Sequence, residues 1–396
     1  MEYNMEQQLK RLFAAQLAEV MPAALRQLLA VFGDSERLWD GIPERTDVLD
    51  CLTEEQKNEL CLARKRGLPL SLGEQIEKGR IRTVCIEEEA YPQRLRMIRD
   101  APFMLFYKGE LPEEDRPVVA VVGARHCSDY GRRAAEFFGR ELASVGVPVV
   151  SGMAMGIDGL AQAACLQAGE KSYGVLGCGV DVVYPPSNRQ LYRELTEHGC
   201  VISEFLPGSG ALPFRFPLRN RLISALSDLL LVVEAREKSG TFITVDYALE
   251  QGREVYAVPG RVEDKLSFGC NRLIAQGAGA AYCVEEILLA LKGESSRGSL
   301  RPATGEEEED GQPPEAAAKV LPRKVSCPAG AAEDACWQGE LRHAIRKLLL
   351  DAPGTAQEIY ARLGKPKLAI QELLSELMQL QIEGLLLCRG GRYELQ

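Results

Sequence analysis

Arginine and aromatic side chains alternate in residues 205–227, FLPGSGALPFRFPLRNRLISALS, which contain no acidic residue. The guanidinium groups of Arg215, Arg219 and Arg221 can hold phosphates, and the ring of Phe216 can stack on a base. Asn220 adds a side-chain amide between two of these arginines. The segment therefore predicts contacts to a single-stranded nucleic acid, although a solvated helix start with a packed phenylalanine is the simpler alternative.

Three other segments end a predicted strand in residue types that bind anions. Arg125 follows VVAVVGA, Ser151 and Gly152 follow VPVV, and Lys238 and Ser239 begin KSGT after LLLVVEA. Backbone amides at a helix N-terminus attract phosphate, and a nearby lysine or arginine strengthens that attraction. The alternatives are a surface salt bridge for the arginine and ordinary helix caps for the serines.

Motifs for cofactor and metal chemistry are missing from the sequence. GCGVDVVYP has two glycines but lacks the third of the dinucleotide fingerprint, and GxxxxGK[ST] does not occur. The 12 cysteines form no CxxC pair, and there are only 3 histidines. We therefore expect no cofactor, no metal site, no catalytic residue and buried thiols in a reducing compartment.

Strands and helices alternate through residues 118–292. Nearly continuous apolar runs such as VVAVV and LLLVV are separated by helical patterns of about 10–15 residues, which is typical of a doubly wound parallel α/β sheet of Rossmann type. In such a sheet the ligand lies beyond the carboxyl ends of the strands. The candidate residues above all follow strands, so we expect them to meet at one rim.

The flanking segments predict two further modules. Residues 1–75 show helical spacing and predict a small helical module of sterile-alpha-motif or helix-hairpin-helix type, followed by the core at 80–292. The composition of 293–335, with an acidic run at 306–310, predicts a flexible linker. Residues 336–396 contain three helical patterns and a predicted hairpin at Gly390-Gly391, which together match the winged-helix plan.

The net charge of −10 hides the local basic stretch, because the acidic residues are concentrated elsewhere, notably in the linker. The longest apolar runs reach about 6–8 residues, whereas a membrane-spanning helix needs roughly 20. The N-terminus MEYNMEQQLKRLF has no apolar signal region. We therefore expect a cytoplasmic protein with no membrane partner.

Six segments, taken together and in this order, resemble the DNA processing protein A (DprA/Smf) family. They are VVGARHCSDYGRRAA, VVSGMAMGIDGLAQ, VLGCGVDVVYPPSN, FPLRNRLISALS, VVEAREKSGTFIT and GREVYAVPGRVEDKLSFGCNRLIAQGA. The resemblance implies an extended Rossmann core that binds single-stranded DNA with little sequence preference. It also implies a non-enzymatic recombination mediator of natural transformation, which protects incoming DNA and loads the RecA recombinase. A homodimer is expected, with single-strand-binding protein as a further candidate partner.

Two other functions compete with this one. SGTFIT resembles the glycine-threonine loop of nucleotide phosphoribohydrolases, whose chemistry needs a carboxylate base, and Asp158, Glu204 and Glu234 are the candidates. The second competitor is a protein scaffold that docks partners through its end modules.

For DNA binding, about four phosphates held at about −0.7 each predict a slope of log affinity against log salt near −3.

Overall fold

The computed structural model describes residues 2–41, 52–293, 340–351, 354–363, 386–389 and 392–395, with four single positions between 373 and 380. Residues 1–303 form one compact unit and residues 304–396 a second. No helix among the described residues has the length and apolar character needed to cross a membrane.

Helices dominate the described part of the first 78 residues, as predicted. They are α1 (Glu2–Val20), α2 (Pro22–Phe32), α3 (Ser35–Gly41), α4 (Glu54–Arg66) and α5 (Leu70–Lys78). Gly33 and Gly67 end α2 and α4 with φ of 94° and 80°, a left-handed conformation that glycine adopts without strain.

Strands and helices then alternate through the rest of this unit. The strands are β1 (Arg82–Cys85), β2 (Met104–Gly109), β3 (Val119–Val122), β4 (Val149–Ser151), β5 (Ser172–Val175), β6 (Cys200–Ser203), β7 (Leu229–Val232), β8 (Glu254–Ala257) and β9 (Gly279–Ala280). The helices are α6 (Gln93–Arg96), α7 (Asp129–Ser144), α8 (Ile157–Gln167), α9 (Arg189–His198), α10 (Arg215–Ala225), α11 (Thr241–Glu250), α12 (Phe268–Ala275) and α13 (Val284–Leu291).

The nine strands form one sheet in the order β1-β2-β6-β5-β4-β3-β7-β8-β9. All neighbours from β6 to β9 are parallel, with Val119 opposite both Val149 and Leu229 in register. β2 lies between β1 and β6 and is antiparallel to both of them. The chain winds outward from β3 in both directions, which places a topological switch point between β3 and β7.

Helices cover both faces of this sheet, which explains why its central strands are apolar throughout. Side chains alternate along β3: Ala120 and Val122 pack on one face with α10, α11 and α12, while Val119 and Val121 pack on the other with α7, α8 and α13. The predicted doubly wound α/β architecture of Rossmann type is confirmed.

The N-terminal helices share a hydrophobic core with the sheet. Leu12 and Phe13 of α1 lie in the same buried cluster as Phe106 of β2 and Leu176 after β5. The division of the chain into four parts at 1–75, 80–292, 293–335 and 336–396 stays a prediction.

The second unit contains α14 (Glu340–Asp351), β10 (Gly354–Thr355), α15 (Ala356–Leu363), β11 (Leu386–Arg389) and β12 (Arg392–Leu395). The strands form an antiparallel sheet in the order β10-β12-β11. The predicted linker after Gly293, the Gly390-Gly391 turn and most of the third predicted helix lie outside the described residues.

Candidate nucleic-acid interface

A cleft of about 380 Å³ opens at the carboxyl ends of β3 and β7, where the strand order reverses. We call it the switch-point cleft. Its walls are the loop after β3 and the N-terminal parts of α8, α10 and α11. The predicted residues that line it are Arg125, Phe216, Arg219, Asn220 and Ser239.

Arg219 supplies a buried positive charge to the cleft. Its side chain is 4% exposed, and Nη1 donates hydrogen bonds to the carbonyl oxygens of Gly152, at 2.7 Å, and Val175. Burial lowers the pKa of Arg219 to about 10, against the opposing effect of Asp158, so the group remains charged at neutral pH. Asp158 offsets part of the cost of burying this cation, and an anionic ligand in the cleft would stabilise it further.

Asp158 orients the loop beneath this arginine. Its Oδ2 accepts a hydrogen bond from the Gly152 backbone amide at 3.2 Å. Burial raises the pKa of Asp158, partly offset by the Arg219 charge, the nearby Ser151 side chain and the backbone amides of Gly152 and Gly123. From the first turn of α8, Asp158 therefore orients the loop after β4.

The Phe216 ring stands between cations and a second aromatic ring. The guanidinium carbons of Arg125 and Arg219 lie 5.7 and 6.0 Å from its centroid, and the Tyr184 ring lies 5.3 Å away at an interplanar angle of 35°. At Gly177 a Cβ atom would come within 2.9 Å of the Phe216 ring, so glycine is needed there. This arrangement offers an aromatic face beside positive charge, as base stacking requires.

Tyr184 is the residue that sequence reasoning missed. It is 40% exposed and lines a small cavity of about 40 Å³ with Gly152, Phe216 and Arg219. The available signal was an aromatic residue at the end of GCGVDVVYP, the loop that follows a predicted strand.

Arg125 is exposed and forms no ion pair within the described part of the chain. Lys238 is also exposed, but it is not among the residues that line the cleft. The Ser239 hydroxyl accepts a hydrogen bond from the Thr241 amide at 3.2 Å, and Gly240 and Thr241 bring the N-terminus of α11 into the cleft wall. The N-terminus of this helix is thus oriented toward any anion that the cleft holds.

The expectation of free anion-binding groups at residues 151 and 152 needs correction. Ser151 is completely buried, and its hydroxyl donates to the Val121 carbonyl at 2.5 Å, which ties β4 to β3. The Gly152 amide is occupied by Asp158, and its carbonyl by Arg219. The end of β4 is buried in the core, so Ser151 and Gly152 support the cleft from below and do not bind an anion themselves.

The expectation that three arginines of one segment share a rim is also wrong. Arg215 pairs with Glu19 at 2.6 Å, and Arg221 forms two hydrogen bonds of 2.6 Å with Glu204, so neither lines the switch-point cleft. Arg215 lies four residues before Arg219, on the same side of α10, and is diverted by its pairing with Glu19. For Arg221 the physical reason is helical phase. Residues two apart on a helix face different directions, so Arg221 on α10 cannot share the face of Arg219.

The carboxylates proposed as hydrolytic bases are all engaged. Asp158 accepts a hydrogen bond from the Gly152 amide, and Glu204 is paired with Arg221. Glu234 is 1% exposed and accepts hydrogen bonds from the backbone amide and the hydroxyl of Ser128. A general base needs a free proton-accepting position near its substrate. In the described residues, no three His, Cys, Asp or Glu side chains gather as metal ligands either.

The fold and the site define a class: a Rossmann-like α/β protein whose cleft carries arginine charge beside an aromatic face. The family model for DNA recombination-mediator protein A matches residues 82–292, and the chain belongs to this family. The resemblance found in the sequence motifs is thereby confirmed.

Individual relatives agree with this assignment. DNA processing protein DprA of Streptococcus pneumoniae is 43% identical over 203 residues, 51% of this chain and 72% of that protein. DprA of Bacillus subtilis is 39% identical over 225 residues, covering 57% and 75%. The X-ray structure of the S. pneumoniae protein matches with a TM-score of 0.61 and 33% identity, over 71% of this chain and 96% of that one.

Proposed function

We propose that this chain is a single-stranded DNA-binding recombination mediator and that the switch-point cleft holds the strand. The observation that carries the proposal is the Phe216 ring with Arg125 and Arg219 beside it. A phosphate can bind the two guanidinium groups while the neighbouring base stacks on the ring. Family membership supports the same ligand.

The geometry favours a single strand over a duplex. Bases in a duplex are stacked on one another, so their faces cannot reach a side chain such as Phe216. Aromatic stacking is also tolerant of sequence, since every base has a π-face. Binding with little sequence preference follows.

The wider role rests on the family and on the chain's modules. We propose that the protein acts in the cytoplasm as a homodimer in natural transformation, protects incoming DNA and loads RecA, with single-strand-binding protein as a further partner. Residues 336–396 form a winged-helix module for docking or regulation in this proposal. No catalytic step is required, because mediation consists of binding and transfer.

The test is fluorescence anisotropy with the full chain, a labelled single-stranded oligonucleotide and the matching duplex at low salt. We expect tighter binding of the single strand and similar affinities for oligonucleotides of different sequence. Equal or tighter binding of the duplex would overturn the proposal, as would release of free base from nucleoside monophosphates by the same preparation.

A further inference from the structure

Glu19, near the end of α1, contacts the long loop between β6 and α10. Its carboxylate accepts hydrogen bonds from the Leu206 amide at 3.2 Å, the Ser209 hydroxyl at 3.1 Å and Arg215 Nη2 at 2.6 Å. The side chain is 19% exposed. One carboxylate from the N-terminal helices thus holds three points of residues 204–215, which we call the α10 loop.

A second set of contacts joins the α10 loop to the loop after β5. The Gly179 amide donates to the Ser209 carbonyl at 2.7 Å, and the Gly208 amide donates to Asp181 at 2.8 Å. Asp181 also accepts from Gln75 of α5 at 3.3 Å. Two N-terminal helices therefore fix both loops that support the aromatic part of the cleft.

These contacts lead directly to the cleft. Arg215 is the first residue of α10, and the next residue is Phe216, whose ring rests on Gly177 of the loop after β5. A shift of the α10 loop would move this ring relative to Arg125.

We propose that Glu19 is a positioning residue that couples the N-terminal helices to the affinity of the switch-point cleft for single-stranded DNA. It acts through Arg215 and the α10 loop and does not touch the strand. The inference rests on the proposed function of the cleft.

The opposite role for Glu19 would be to mask Arg215 from phosphate. The surroundings of Arg215 favour positioning. Its guanidinium also donates to the Gly210 carbonyl at 3.1 Å and lies 4.5 Å from the Phe205 ring, and its side chain is only 12% exposed. A side chain with these anchors is part of the loop's structure, and unlike Arg219 it does not line the switch-point cleft.

The experiment compares Glu19→Gln and Glu19→Ala with the wild-type full chain by anisotropy with single-stranded DNA across a salt series. Gln keeps only one of the two acceptor oxygens, so it can accept from Leu206 or from Ser209, and it loses the charge that holds Arg215. We therefore expect a loss of about threefold for Gln and about tenfold for Ala. The salt slope should not change, because no phosphate contact is removed. Glu6→Gln is the matched control, since Glu6 lies on the same helix, pairs with Lys10 and is 60% exposed.

Each result decides the question. Unchanged affinity in both Glu19 variants overturns the inference, and so does tighter binding with a slope steeper by about 0.7, which would mean that Arg215 had been masked. Ser209→Ala removes one of the three loop contacts without a change of charge, and should weaken binding even if the Glu19 variants fail to fold. A wild-type chain that does not bind single strands overturns this inference and the proposed function together.

Discussion

Replacement of Arg125 by Gln tests the electrostatic part of the proposed function directly. Arg125 lines the switch-point cleft, is exposed, and has no ion pair in the part of the chain that the structure describes. Its guanidinium is therefore available to a phosphate, unlike that of Arg215 or Arg221, which carboxylates occupy. Gln keeps a polar side chain while removing the charge.

The structure also sets the magnitude. In the proposed function, Arg125 and Arg219 of the cleft would make two phosphate contacts, in place of the four inferred from the sequence. Lys238, which is exposed but does not line the cleft, would make a third. At about 0.7 for each contact, the salt slope of the wild type should lie between about −1.4 and −2.1. Arg125→Gln should make the slope shallower by about 0.7. An exposed arginine–phosphate pair contributes up to about 1 kcal/mol to binding, and a partly desolvated pair contributes about 2 kcal/mol. The affinity of Arg125→Gln for single-stranded DNA should therefore fall about fivefold to thirtyfold.

The assay is anisotropy with the full chain over a salt series. Arg140→Gln is the matched control, because it makes the same charge change on an exposed residue of α7, a helix that does not line the cleft. A slope in Arg125→Gln equal to that of the wild type would refute the phosphate contact. An equal loss in Arg140→Gln would show that only overall charge matters.

Three further predictions follow from the same contacts. Arg221→Gln leaves the partly buried Glu204 without its partner, so the free energy of unfolding in urea should fall by about 3 kcal/mol. The salt slope of DNA binding should stay the same, and a shallower slope would mean that Arg221 holds a phosphate. Phe216→Ala should weaken binding by about 1–3 kcal/mol with an unchanged slope, and Phe216→Tyr should restore it, since stacking depends on the ring and not on charge. Burial raises the pKa of Asp158, so this residue favours folding most below its ordinary value of 3.8, and the favourable contribution is lost as pH rises through the folded-state pKa. The unfolding free energy of the wild type minus that of Asp158→Asn should therefore fall as pH rises above 3.8 in denaturant titrations, and a difference that rises would contradict the raised pKa.

Local sequence determined the architecture of the core and the place of the cleft. Apolar runs such as VVAVV are fully buried only where both faces of a strand are covered. The alternation of strands and helices in 118–292 therefore predicts a doubly wound sheet with helices on both faces. The rule that ligands lie beyond the carboxyl ends of strands then placed Arg125, Phe216 and Arg219 at one site, as the structure has them.

Tertiary structure decided which charges remain available at that site. Glu19 is 196 residues from Arg215 in the chain and Glu204 is 17 residues from Arg221, and no local window shows that these acids meet those arginines. The rotation of about 100° per residue along α10 then separates Arg221 from Arg219. Spacing in the sequence can place a residue on an element, but its charge is available to a ligand only if no distant acid is folded against it.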